Sequence, residues 1–205
     1  MKKCIGFILA ICFLSIAGYS YIKFNKIPKI EEENCPVVKV ILSNQTSFKI
    51  QLRPDAAPNT VCNFIDLVEC GFYNGLGFSK ILPNYLVQTG DTIGNGTGYP
   101  GYFIKSECKA NGYPNNLLCV QGTVCMARGQ KFNTEGSQFF VLLRDAPELN
   151  GRYTAFGIVT QGLENLMALT TQSDLTVKQM TVEKFYGAYK EPKVLSMVEI
   201  RDTAQ

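Results

Sequence analysis

Two stretches of this 205-residue chain set polar amides beside large apolar side chains at strand spacing. Gly136-Ser137-Gln138-Phe139-Phe140 reads as a strand, and Leu149 to Gly157 (Leu-Asn-Gly-Arg-Tyr-Thr-Ala-Phe-Gly) reads as a turn leading into a second one. Side chains two apart in a strand point the same way, so Gln138 and Phe140 share a face. Upstream, the segment Phe78 to Asp91 repeats the idea, with Lys80, Tyr85, Leu86 and Gln88 as candidate lining groups. The chemistry open to such a set is narrow. The chain contains no histidine, which removes Ser-His-Asp and Cys-His nucleophiles, imidazole bases and every His-containing metal site. What survives is carboxylate-pair chemistry, cysteine-only metal binding, or catalysis by hydrogen bonding and desolvation alone. With no Cys-x-x-Cys pair present, neither a metal nor another cofactor is expected.

The elements that must position these groups are mostly strands. Val37–Leu42 and Ser47–Leu52 predict a hairpin around Ser43-Asn44-Gln45. Asp55-Ala56-Ala57-Pro58 announces a helix, with proline suited to its first turn. Val61, Phe64, Ile65, Val68 and Phe72 recur at helical spacing, and Gly71 closes the run. The glycine-rich stretch Gly94–Gly101 lacks the spacing of a dinucleotide or P-loop motif and reads as a surface loop needing positive φ. Gly122–Ala127 predicts a short apolar strand, Gly162–Leu169 a second helix, and Val194–Ile200 a closing strand. Asp174–Pro192 is given no role.

Composition bounds the rest. With 46% apolar residues, the chain can bury one good core. A net charge of +3 with no basic cluster gives no sign of a nucleic-acid partner. Lys2 and Lys3 precede an apolar stretch from Cys4 to Ile22, which fits either a secretory signal peptide or an uncleaved membrane anchor. Residues 1–22 are therefore expected to direct export, 23–36 to form a polar linker, and 37–203 to fold as one domain. Of eight cysteines, six lie beyond the leader. Export permits disulfides, and Cys108 with Cys119 is the first pair to test. Cys62 and Cys70 lie too far apart on one helix to bond. Asn44-Gln45-Thr46 and Asn95-Gly96-Thr97 fit the glycosylation pattern.

From about Val37 to Ile200 the order of motifs resembles the cyclophilins. Ala57-Pro58-Asn59-Thr60-Val61-Cys62-Asn63-Phe64 looks like that family's first helix, and Phe78–Asp91 and Gly136–Phe140 look like its signature segments. The resemblance implies a mainly β fold: a closed, eight-stranded antiparallel barrel capped by two α-helices. It implies peptidyl-prolyl cis-trans isomerase activity on proline-containing segments of client proteins. The catalytic positions fall on Lys80 and Gln88. Substrate-binding positions fall on Tyr85, Leu86, Gln138 and Phe140, on the Ala127-Arg128-Gly129 strand, and on a far wall of Leu149 and Tyr153. Four residues depart from the family pattern: Lys80 for arginine, Ser79 for histidine, Glu148 for a frequent tryptophan and Tyr153 for a frequent histidine. Lysine lacks the planar fork of arginine, so reduced activity is expected, with a module that binds proline segments without turnover as the alternative. Glu148 implies weak cyclosporin binding. A monomer is expected, exported and touching a membrane only through its leader.

Overall fold

The computed structural model describes residues 35–184 and 191–195. The expected leader and nearly all of the linker lie outside them. Ten strands and two short helices follow in chain order: β1 (Val37–Leu42), β2 (Ser47–Leu52), α1 (Pro58–Glu69), β3 (Phe78–Leu82), β4 (Leu86–Thr89), β5 (Phe103–Ile104), β6 (Thr123–Met126), β7 (Phe139–Leu142), β8 (Ala155–Gln161), α2 (Leu163–Met167), β9 (Val177–Lys184) and β10 (Val194–Leu195). Eight of the strands form one antiparallel sheet in the order β3-β4-β7-β6-β8-β2-β1-β9.

Alternation in the sequence sets which face goes inward. In β1 and β2 every second residue is fully buried: Val38, Val40 and Leu42, then Phe48, Ile50 and Leu52. One wet and one packed face is the usual signature of an antiparallel sheet. The curled sheet wraps these residues around α1, whose Val61, Phe64, Ile65, Leu67 and Val68 are buried against them. Phe64 is the hub, with its ring 5.4 Å from Tyr73, 5.2 Å from Phe139 and 5.1 Å from Phe156. Aromatic pairs at such distances add to the burial energy of each ring.

The start of α1 is capped from far along the chain. Ala57 offers no side-chain cap. Instead the buried Glu107 carboxylate accepts from the Thr60 amide and hydroxyl, each at 2.8 Å, and from the Asn59 amide at 3.2 Å. These amides are the orphan donors of a helix N-terminus, where negative charge is also favoured by the helix dipole.

The expected eight-stranded antiparallel fold is found, and its curled sheet meets at a short seam at one end: a Gly77–Thr176 bridge, with Gly75 N–H on Val177 O at 2.7 Å and Val177 N–H on Leu76 O at 2.8 Å. Several other expectations need correction. The strand beside β1 is β9, from the segment given no role. Val194–Leu195, expected to close the barrel, pairs with β5 in a separate two-stranded sheet, and residues 196–200 lie outside the described ones. The second helix spans only Leu163–Met167, entered through Gly162 at φ +78°, where a Cβ would strike the Ser47 carbonyl and Phe48. Finally, Cys108 and Cys119 are unpaired thiols; Cys119 faces Cys125 with the sulfurs 4.0 Å apart.

The Gly136–Phe140 strand also begins later than expected, at Phe139. The carbonyls of Gly136 and Ser137 accept from the Asn63 amide (2.9 Å) and the Tyr73 hydroxyl (3.1 Å), while the Ser137 hydroxyl donates to Gly90 O (2.7 Å). Side chains have taken the groups that a ladder would otherwise use. Both glycosylation-pattern asparagines are held in turns, accepting from Thr46 at 3.0 and 2.7 Å and from Thr97 at 3.0 and 2.6 Å.

The long-range cap generates a stability prediction. Glu107→Ala strands buried donors and is expected to lower unfolding free energy by about 1–3 kcal/mol, with Glu107→Gln intermediate, as read by denaturant unfolding. Wild-type stability in both variants would show that α1 starts without this cap.

Candidate active site

The register of the sheet assembles the site on its outer face. Lys80 pairs with Gln88, Gln88 with Phe140, Phe140 with Cys125, and Cys125 with Ala155, so one row crosses five strands. Directly paired residues project from the same face. Their sequence neighbours Val87, Phe139, Val141, Val124 and Phe156 point the other way into the main core. The outer row has a small core of its own. Leu86, Cys119, Cys125, Phe140, Leu142, Ala146 and Ala155 are buried there, with Tyr85, Ala127, Leu149 and Tyr153 packed against them.

Above this floor runs a groove of about 740 Å³. Lys80, Tyr85, Leu86, Gln88, Ala127, Arg128, Gly129, Gln138, Phe140, Leu149 and Tyr153 all line it, so the structure brings the expected site residues to one place. Phe140 meets Tyr153 edge-on at 5.4 Å. Lys80 is exposed on β3, and its ammonium makes no hydrogen bond or ion pair among the described residues. Glu148 lies at the rim: its carboxylate meets the Tyr85 hydroxyl at 3.4 Å and Arg144 at 3.1 Å, and Arg144 stacks 4.4 Å from the Tyr85 ring centre.

The polar side of the groove is a connected chain. The Gln88 amide donates to the Gln138 side-chain oxygen at 2.7 Å, and the Gln138 amide donates to the carbonyls of Gly96 (3.0 Å) and Gly98 (2.8 Å). The glycine-rich stretch is therefore a wall of the groove, lined by Asn95, Thr97 and Tyr99 as well as by its glycines. Sequence reasoning treated it only as a loop. The available signal was Asp91, three residues before the run: its carboxylate accepts from the amides of Ile93 (3.0 Å), Gly96 and Gly98 (2.8 Å). Burial pushes the Asp91 carboxyl up, but bonds from Gly96, Ile93, Gly98 and Gly94 outweigh it and hold the group below its ordinary value.

Ala127–Gly129, expected as a strand, lies just past the end of β6 at Met126 and is an extended segment outside the ladder, which leaves it a free backbone edge. Ala127 N–H is taken by Gln138 O at 2.9 Å and Gly129 N–H by the Thr134 hydroxyl at 3.0 Å. The N–H of Arg128 between them has no partner among the described residues. Arg128's guanidinium ties the surrounding chain together, donating to the carbonyls of Gly129 (2.9 Å), Gln130 (3.2 Å) and Arg152 (3.1 Å). It also stacks on Phe132 (4.6 Å) and Tyr153 (5.0 Å). An apolar pocket, amide donors, an unused backbone N–H and a cation make a site that can hold a peptide and polarise an amide without a nucleophile.

Comparison with known proteins agrees with this geometry. Residues 37–187 match the profile of the family described as cyclophilin type peptidyl-prolyl cis-trans isomerase/CLD. Over 143 residues the chain is 40% identical to peptidyl-prolyl cis-trans isomerase B of Bacillus subtilis (strain 168), covering 70% of this chain and 95% of that protein. It is 38% identical over 132 residues to a peptidyl-prolyl cis-trans isomerase of Helicobacter pylori (strain ATCC 700392 / 26695), covering 64% and 78% of the two chains. A crystal structure of a Cryptosporidium parvum cyclophilin type peptidyl-prolyl cis-trans isomerase, obtained in the presence of the dipeptide Ala-Pro, aligns with a TM-score of 0.64 at 28% identity. That alignment covers 73% of this chain and 99% of the other. With nearly the whole of its described fold matched, the chain belongs to the cyclophilin family and is a peptidyl-prolyl cis-trans isomerase of that type.

Proposed function

We propose that the groove isomerises Xaa-Pro bonds of exported proteins, with turnover limited by Lys80. The observation that carries this reading is the row Lys80–Gln88–Phe140, which sets a cation, an amide and an aromatic floor side by side on three neighbouring strands. The barrier to be lowered, about 18–20 kcal/mol, arises from amide resonance. No bond needs to be attacked and no proton transferred. Phe140, Leu86 and Tyr85 grip the proline ring, with Leu149 and Tyr153 opposite them. The Arg128 backbone pairs with the substrate main chain, and Ala127 and Gly129 hold that strand in place. Gln138 fixes Gln88, whose amide orients the substrate.

Lys80 supplies the cation that stabilises the twisted amide. An ammonium on a flexible stem holds its geometry less firmly than a guanidinium fork and is more strongly hydrated. The exposure of Lys80, with nothing to position its ammonium, supports reduced turnover. Export rests on the basic and apolar pattern of residues 1–22, read as a signal peptide or anchor ahead of a linker over 23–36 and a domain over 37–203.

In a protease-coupled assay on an Xaa-Pro peptide, Lys80→Ala is expected to lower kcat/KM by about a hundredfold, and Lys80→Arg to raise it by about tenfold. Uncatalysed rates in all three proteins would instead make the groove a binder of proline segments. Phe140→Ala removes the floor of the outer cluster and leaves the Phe64 core in place, so peptide-induced NMR shifts are expected to vanish while the fold persists. Because Glu148 holds a charge at the rim, cyclosporin is expected to inhibit weakly, and nanomolar inhibition would overturn that reading.

A further inference from the structure

Behind the substrate strand lies a carboxyl that the isomerase reading does not use. Glu135 has no exposed surface. Its Oε1 accepts from the Thr154 hydroxyl at 2.8 Å, and its Oε2 is buried without a partner. Its backbone is held as well, since its carbonyl accepts from Ile104 N–H at 2.8 Å. On the groove side Arg128 shows the complementary defect. Both of its terminal nitrogens donate to carbonyls, while its Nε is buried with no acceptor. An orphan acceptor and an orphan donor thus share one neighbourhood, since Glu135 holds the Thr154 hydroxyl and Arg128 holds the Arg152 carbonyl two residues earlier, yet no hydrogen bond joins the two side chains.

Each buried orphan is costly, and a bare buried carboxylate more so. Burial accordingly pushes the Glu135 carboxyl up to about 8, against the opposing effects of Thr154, Ser106 and Arg128 and with a further rise from Glu107. The groups facing it come from every neighbouring element: Arg128 after β6, Cys125 within β6, Ser106, Glu107 and Cys108 after β5, and Thr154 before β8. Glu107 is committed to the start of α1, and the two thiols carry no charge while protonated. Arg128 is the one cation in this set.

We propose that Glu135 is a positioning residue for the groove: with its carboxyl protonated, Arg128 braces the Gly129, Gln130 and Arg152 carbonyls and stacks on Tyr153, whereas loss of that proton to solvent draws the Arg128 Nε–H inward onto Oε2 and loosens the substrate strand and far wall. The inward turn satisfies both orphans at once, as a charge-assisted hydrogen bond. It frees three carbonyls and removes the cation from the Tyr153 face, which is a surface the peptide needs. Lys80 and Gln88 lie on β3 and β4, away from this rearrangement, so the effect falls on KM and on peptide affinity rather than on kcat. The inference rests on the groove being the peptide site.

The test follows Kd, KM and kcat for an Xaa-Pro peptide from about pH 6 to about pH 10 in wild type, Glu135→Gln and Arg128→Gln. In wild type, Kd and KM are expected to rise about fivefold with an inflection near pH 8 while kcat stays level, and both variants are expected to lose the inflection. A 13C titration of the Glu135 carboxyl in folded wild type reads the same event without any variant. Linkage supplies another readout. A folded carboxyl that titrates at about 8 rather than at its ordinary value of 4.5 contributes stability that is fully present below the lower value and lost as pH rises through the higher one. Glu135→Gln should therefore lack that decline in melting temperature. A flat wild-type Kd alongside normal turnover, a carboxyl that titrates below about 5, or an inflection that persists in Arg128→Gln would each overturn the inference alone. A peptide that neither binds nor turns over at any pH would overturn the functional reading with it.

Discussion

The packing of Phe64 against Tyr73, Phe139 and Phe156 is the contact on which the register of the whole sheet depends. Strand side chains alternate between faces, so seating Phe139 inside commits Phe140 to the outside, and a slip of one residue would exchange the two. The same commitment runs through β4, where Val87 is inside and Leu86 and Gln88 are outside. The groove is therefore a consequence of the core. The row from Lys80 to Ala155 exists because the opposite face has been filled by aromatic rings.

Polar groups carry that order from helix to groove. Asn63 sits one residue before Phe64; its amide holds the Gly136 carbonyl at 2.9 Å, and its side-chain oxygen accepts from the Tyr102 hydroxyl at 2.8 Å. The Tyr73 hydroxyl and the Ser137 hydroxyl fix the next residue on either side. Gln138 follows, and its amide holds the glycine-rich wall. Buried networks of this kind are demanding, because each member left without a partner costs more than its bond contributes. Among the described residues Ser79, Glu135 and Arg128 are the exceptions, each with one unsatisfied atom.

Much of the scaffold was legible residue by residue. β1, β2 and α1 declare themselves through periods of two and 3.6. β9 was not legible. Its Val177-Lys-Gln-Met-Thr-Val-Glu-Lys184 buries only Val177 and Met180, so the pattern lacks a strict alternation, and pairing with β1 decides its state. The late start of β7 was hidden for a related reason, since it is set by Asn63 and Tyr73, residues 64 or more positions away along the chain.

The sequence by itself determined the family, the identity of the groove's floor residues and the absence of imidazole chemistry, because residue type and local spacing record these directly. Only the tertiary structure decided which strand lies at the barrel seam, that Gly96 and Gly98 form a wall held by Gln138, that Cys119 faces Cys125 rather than Cys108, and that Glu135 is fully buried against Thr154. Each of these depends on partners distant in the chain and on the removal of water from between them. Desolvation is a property of the assembled environment, and a glutamate in a sequence carries no mark of whether it will meet water or be closed off from it.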